Sequence, residues 1–334
     1  MVPDTLLPNE GRSRTAVRHF IQAVTRIKLD MVAKRIRWTL ACTGLCAVVL
    51  GQDTSALHAT RLIEQASLSM AQGRPGDALR AFEQAFRMES WQHPYTYYEA
   101  VDAALAAGDT IAANTCLRQG IQHGFDLAVI TGDDRFQAFL AGPSSAPARN
   151  AMAGDRAIWA AKADSTFIKE LDSLAVEDQR YRRGDVDDHE LMRRTDSLNF
   201  EHLIRHCDRH GFPDPRTLGH AIGDVHLLLW HHRGSEYPGS SQWQRMLPHI
   251  RQAMADGRLA PSFLAMFDDH ADFDAGRPMR YGALLGYFAG YPEHLHFIAR
   301  DQLNAGRAAI GLGPIEAAAI VVGVDLSKAR FAEH

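Results

Sequence analysis

Little cysteine, no surplus of positive charge, no membrane-length apolar run and no β-branched alternation: each absence narrows what this chain can be. Its four cysteines are Cys42, Cys46, Cys116 and Cys207. Only two of them follow residue 51, so one disulfide at most is open to the rest of the chain. That excludes a disulfide-stapled scaffold. Basic residues number 36 against 40 acidic. Without residues 1–51 the counts become 28 and 37, a formal charge of −9. Such a surface gives no electrostatic footing for nucleic acid or for an anionic membrane. The apolar run Trp38–Leu50 has 13 residues. A bilayer span needs roughly 20, so no stable membrane span is expected in the mature chain. Ile320-Val321-Val322 is too short for a sheet, and no longer alternating run is present. The zinc motif His-Glu-x-x-His is also missing.

What is present begins with a signal-peptide pattern set unusually far along the chain. Lys34-Arg35-Ile36-Arg37 is a basic start, and Trp38–Leu50 is the apolar core. Val49-Leu50-Gly51 places small or compact residues where a signal peptidase reads. Residues 1–51 are therefore expected to be removed, with cleavage near Gly51. The expected location is periplasmic or secreted, and the expected mature chain of 283 residues begins at Gln52. Met31 is the expected translation start, with residues 1–30 a dispensable extension. Leu40-Ala41-Cys42 looks like a lipobox fragment, but Cys42 lies too close to Arg37 to leave an apolar stretch before it.

After residue 55, Ala, Leu, Arg, Gln and Glu dominate, and the predicted class is all-α. Gly73-Arg74-Pro75-Gly76, Gly211-Phe212-Pro213 and Tyr237-Pro238-Gly239 punctuate the helices. Ala66, Gly73, Ala78, Phe82 and Ala85 fall at helix-turn-helix spacing. Gly108, Ala113, Leu117 and Gly120 repeat its second half, with Ala113 lying 35 residues after Ala78. Small residues let antiparallel helices approach, and Phe82 or Leu117 fills the gap between pairs. Residues 55–142 thus resemble tetratricopeptide repeats, with the repeat proline displaced to Pro94. Tyr95 to Ala100, Ala107-Gly108-Asp109, Gly120 to Phe125 and Gly132 to Phe136 also resemble the terminal repeat of exported bacterial repeat proteins. Phe125–Leu140 is expected to cap the array. The resemblance implies a packing unit and a concave surface for a protein or peptide partner, not a reaction. Gly142-Pro143-Ser144-Ser145-Ala146-Pro147-Ala148 has loop composition, so residues 143–160 are expected to be a linker. A helical domain over 161–334 is expected to start near Asp164-Ser165, where either residue can cap a helix.

Within that domain five markers form a set. They are Asp178-Gln179-Arg180; Asp196 with Asn199; Gly211-Phe212-Pro213 with Gly219; Trp230-His231; and Asp268-Asp269-His270 followed by Pro278-Met279-Arg280-Tyr281-Gly282. Over about 165–286 they resemble the family known as domain of unknown function 6624. That resemblance transfers no reaction. Trp230, His270, Met279 and Ala283-Leu284 depart from the family pattern, and several polar positions are lost with them.

The retained residues suit an acid/base site. His231 can move a proton near neutrality. Asp269 is the residue expected to orient it, Arg180 to hold an anionic group, and Asp178 to be a second carboxylate. Gln179, Asp196, Asn199 and Tyr281 are the accompanying binding candidates, although Tyr281, Tyr287, Phe288 and Tyr291 also read as core. A structural alternative stays open, because Asp and Asn cap helices and buried His satisfies carbonyls. His202, His206 and His210 share one helix face, and His226, His231 and His232 follow. Imidazoles one turn apart can chelate a divalent metal such as zinc. No carboxylate or Cys completes the set, however, and a solvated helix face explains the spacing equally. Two function classes follow. The leading expectation is an exported interaction or scaffolding protein. The competing one is a hydrolase-type enzyme with a His/Asp acid–base or metal-assisted site.

Overall fold

The computed structural model describes residues 54–88, 92–130, 133–182, 189–233 and 236–333. The expected signal segment, residues 1–51, lies outside them. The protein is all-α. Its N-terminal helices are α1 (Thr54–Ala71), α2 (Pro75–Phe86), α3 (Pro94–Ala106) and α4 (Thr110–Gln122). Pro75 and Pro94 open their helices, where the missing N–H has no partner to lose. Asp109 caps α4 by accepting from Ile111 and Ala112 N–H. Each helix packs on the next. Ala66, Ala78, Phe82, Ala100, Ala113 and Leu117 are buried in one cluster, which Phe136 of α5 (Asp134–Ala141) joins.

Residues 143–160 are not a linker. Pro143–Ser145 form a single 3-10 turn, and Ala146–Ala160 form α6, which packs on α4. Proline signals a loop by composition, but Pro143 and Pro147 stand in first turns, where helices accept them. Asn114 of α4 holds this corner. Its Nδ2 donates to Ser144 O at 2.8 Å, and its Oδ1 accepts from Ala148 N–H at 3.1 Å. Arg118 and Gln122 both donate to buried Asp155 of α6. Asn114→Ala should cost about 1–2 kcal/mol in chemical denaturation, because a buried N–H and a carbonyl lose their partner. A loss under about 0.5 kcal/mol would mean the corner closes without it.

The C-terminal helices are α7 (Ser165–Arg180), α8 (His189–His210), α9 (Pro215–Leu218), α10 (Ile222–His231), α11 (Ser241–Ala255), α12 (Ala265–Asp274), α13 (Arg300–Ala309) and α14 (Ile315–Val322). Of the two expected cap residues, Asp164 caps α7, its side chain accepting from Phe167 N–H. Phe200, Leu203, Ile204, Trp243, Met246 and Phe267 lie in the larger core cluster. Two short parallel strands, β1 (His296–Phe297) and β2 (Arg330–Phe331), close the end of the chain. Ile320-Val321-Val322 belongs to α14. Cys116 and Cys207 are both free and buried. Among the described residues no helix is long and apolar enough to cross a membrane.

N-terminal and C-terminal helices touch at several points. Gly124 (φ +82°) and Gly219 (φ +52°) meet backbone to backbone beneath the Trp159 indole. A Cβ on Gly124 would stand 2.7 Å from Gly219 Cα and 2.7 Å from Trp159 Cζ2, so neither room nor φ admits one. His220 N–H donates to Gly124 O at 3.0 Å across this joint. At another contact α1 packs on α14, and Arg61 donates to Ala308 O at 3.0 Å.

Candidate functional site

The ends of α7 and α10 converge against α8, and polar side chains meet there. Asp178 stands in the last turn of α7 with its side chain fully buried. His231 is the last residue of α10, and its Nδ1 lies 2.7 Å from Asp178 Oδ2. Gln179 Nε2 donates to the same oxygen at 2.7 Å. Arg182, two residues past α7, lies 3.0 Å from Asp178 Oδ1. Its Nη1 also donates to Asp178 O, near the negative end of the helix dipole. Its Nη2 donates to both carboxylate oxygens of Asp196 on α8, each at 2.6 Å. Asn199, one turn further along α8, donates to Leu174 O at 3.2 Å and ties α8 to α7. One buried guanidinium thus bridges two buried carboxylates, and one of these holds an imidazole.

The electrostatics split the two acids. Burial pushes the Asp178 carboxyl up, but the His231 hydrogen bond, the charges of His231 and Arg182, and Gln179 together bring it below its usual value. Burial and the neighbouring Asp178 raise Asp196 to about 6, against the pull of Arg182. Burial lowers His231; Asp178 pulls it up, while Arg182 and Arg233 push it down. Burial thus favours the uncharged imidazole. Asp178, an anion, takes its proton-bearing Nδ1, which leaves the lone pair on Nε2. Among the described residues Nε2 makes no hydrogen bond, and 9% of the side chain stays exposed.

Two residues on, Arg233 acts on the imidazole by its charge. Arg233 lies 3.5 Å from the Trp230 ring centroid and donates to Trp230 O at 2.5 Å. Burial lowers its guanidinium to about 10. Trp230 meets His270 edge-on at 5.3 Å, and His270 lies 3.0 Å from Asp274.

Asp269 is not the partner of His231. It is fully buried in α12, and its oxygens are taken by the backbone N–H groups of Arg280 (2.8 Å), Tyr281 (3.0 Å) and Ala283 (2.7 Å). Burial lifts it to about 7, with those three donors pulling the other way. Its work is to shape the loop after α12. Arg180 is also misplaced by the sequence reading. It is exposed and pairs with Glu177 one turn back. Tyr281 is core: it lies with Ala265, Ile310 and Leu312, and its carbonyl accepts from Arg307 at 2.5 Å.

Arg182 and Arg233 escaped the sequence reading. Arg182 had a signal in its i, i+4 spacing from Asp178. Arg233 had none beyond standing two residues from His231. The three α8 histidines do not converge on one point. His202 lies 3.4 Å from Glu170, His206 stacks on Phe167 at 3.5 Å, and His210 faces His206 at 5.0 Å. Among the described residues no group of three or more His, Cys, Asp or Glu is placed to hold a metal ion. Comparison with protein-family models, with curated proteins and with solved structures finds no match to this chain.

Proposed function

We propose that the protein is a hydrolase-type enzyme with an acid/base centre at Asp178 and His231. The 2.7 Å contact that commits Nδ1 to a buried carboxylate, and so leaves the imidazole lone pair on Nε2, carries the reading. In this scheme Nε2 takes a proton from water, and the hydroxide adds to the carbonyl of an ester or amide. Asp178 stabilises the imidazolium that results. The imidazolium then returns the proton to the leaving group as its bond to the carbonyl carbon breaks. In this scheme Arg233, whose charge acts on His231, favours the negative charge that develops there.

Histidine NMR titration and a panel of chromogenic esters and amides test this. Asp178→Asn should lower the His231 pKa further, because the bond and charge that raise it are lost. Asp269→Asn should leave it unchanged. Turnover should rise with pH through a pKa below 6.5, level off near neutrality, and disappear in His231→Gln. Turnover that survives His231→Gln, or a His231 titration indifferent to Asp178→Asn, would falsify the scheme.

A second reading, an exported interaction or scaffolding protein, draws on a separate feature. A surface pocket of about 420 Å³ lies along α4, lined by Ile111, Asn114, Thr115, Arg118, Gln122 and Pro147. Ile111 is 80% exposed at its edge. A protein or peptide partner would dock there, in an exported protein if residues 34–51 act as their pattern suggests.

A further inference from the structure

Three histidines meet where α3 abuts the segment from Gly219 to His231. His93 is the N-cap of α3, its Nδ1 accepting from Tyr95 N–H at 3.2 Å. His226 of α10 faces it, with ring centroids 6.2 Å apart. His220 stands in the 3-10 turn Gly219–Ala221, its N–H bonded to Gly124 O across the joint. Nε2 of His93, Nδ1 of His220 and both ring nitrogens of His226 are buried. Phe263 lies over His226 at 4.8 Å. The contact therefore joins the N-terminal helices to α10 through imidazoles shielded from water.

The charged groups on the packed elements are few. Glu99 and Asp102 lie on α3, and Asp224 lies on α10. Asp102 is engaged by Arg135. On the α4 side His123 stacks on Tyr97 at 5.0 Å, with Lys162 acting on it. Among the charges that act on His93 are those of His226 and His220, and both are of like sign to its own.

We propose that this joint is opened by acid: protonation of His93 and His226 puts like charges into a dry contact and parts α3 from α10. Burial, then His226 and His220, hold His93 well below the ordinary imidazole range, and burial lowers His226 to about 4. Both are neutral when the joint is closed and return to about 6.5 when it opens. The sign follows. A base with a depressed pKa favours the closed form fully above about 6.5 and loses that preference as pH falls toward about 4. Each proton taken up raises the opening equilibrium about tenfold per pH unit inside that window. The proposal does not depend on chemistry at His231, which lies at the far end of α10.

Hydrogen–deuterium exchange on the full chain at pH 7.5 and 5.0, corrected for intrinsic rates, tests it. Peptides covering 93–98 and 219–231 should open at least about tenfold more at the lower pH. In the His93→Asn, His226→Phe double variant this rise should vanish. Asn keeps the cap acceptor, and Phe keeps a ring against Phe263. The same rise in the variant, or a rise spread evenly along the chain, overturns the proposal. If the variant does not fold, ring-proton titration of the wild type decides. His93 and His226 silent down to about pH 5 support the joint; ordinary titration near 6.5 in the closed protein overturns it.

Discussion

Replacing Asp269 with Ala is expected to cost about 3–5 kcal/mol in urea unfolding. Its two oxygens take three backbone N–H groups in a fully buried position, so the truncation strands three donors at once. Each stranded donor costs about 1–3 kcal/mol, and neighbours that share one acceptor do not add fully. Asp269→Asn should cost less, because its carbonyl can keep Arg280 and Tyr281 while only Ala283 N–H faces an amide NH₂. A loss under about 1 kcal/mol for Asp269→Ala would show that the loop after α12 is shaped by something else.

Arg182→Leu should be about as damaging at pH 7.5, again about 3–5 kcal/mol, because it leaves two buried carboxylates without their shared cation. This loss should depend on pH. Asp196 already sits at about 6 in the folded protein, above its ordinary value. A carboxyl raised on folding binds its proton more tightly in the native state, so ionising it costs stability as pH rises through that value. Without Arg182 the opposing pull is gone and Asp196 should rise further. Part of the stability should therefore return between pH 7.5 and 5.5, as Asp196 takes up its proton. Thermal melts of both proteins at the two pH values check this. An equal deficit at both would mean that Arg182 contributes packing rather than charge.

The proposed site was half legible in the residues. Asp178, Gln179, Asp196, Asn199 and His231 all stand out as polar groups in helical context, and all five lie in or against one cluster. The partner of His231 did not stand out. Asp178 and Asp269 are both buried carboxylates on helices, and nothing in their local sequence tells them apart. Arg180 and Arg182 differ by two positions, which on a helix end turns one to solvent beside Glu177 and the other inward to Asp178 and Asp196. The helix over 146–160 was hidden for another reason: proline in a first turn and proline in a loop look alike in composition.

By itself the sequence determined the helical class, a start of α7 at Asp164 or Ser165, and the small and bulky residues of the first core. These depend on backbone propensity, on capping and on a periodicity carried within one short segment. Tertiary structure alone decided which carboxylate holds His231, which arginine is buried, and that His93 meets His226. Those pairs are 53, 14 and 133 residues apart in the chain, counting Asp178 to His231, Arg182 to Asp196 and His93 to His226. No local preference spans such distances; only the packing of helices on one another brings the groups within bonding range and removes the water between them.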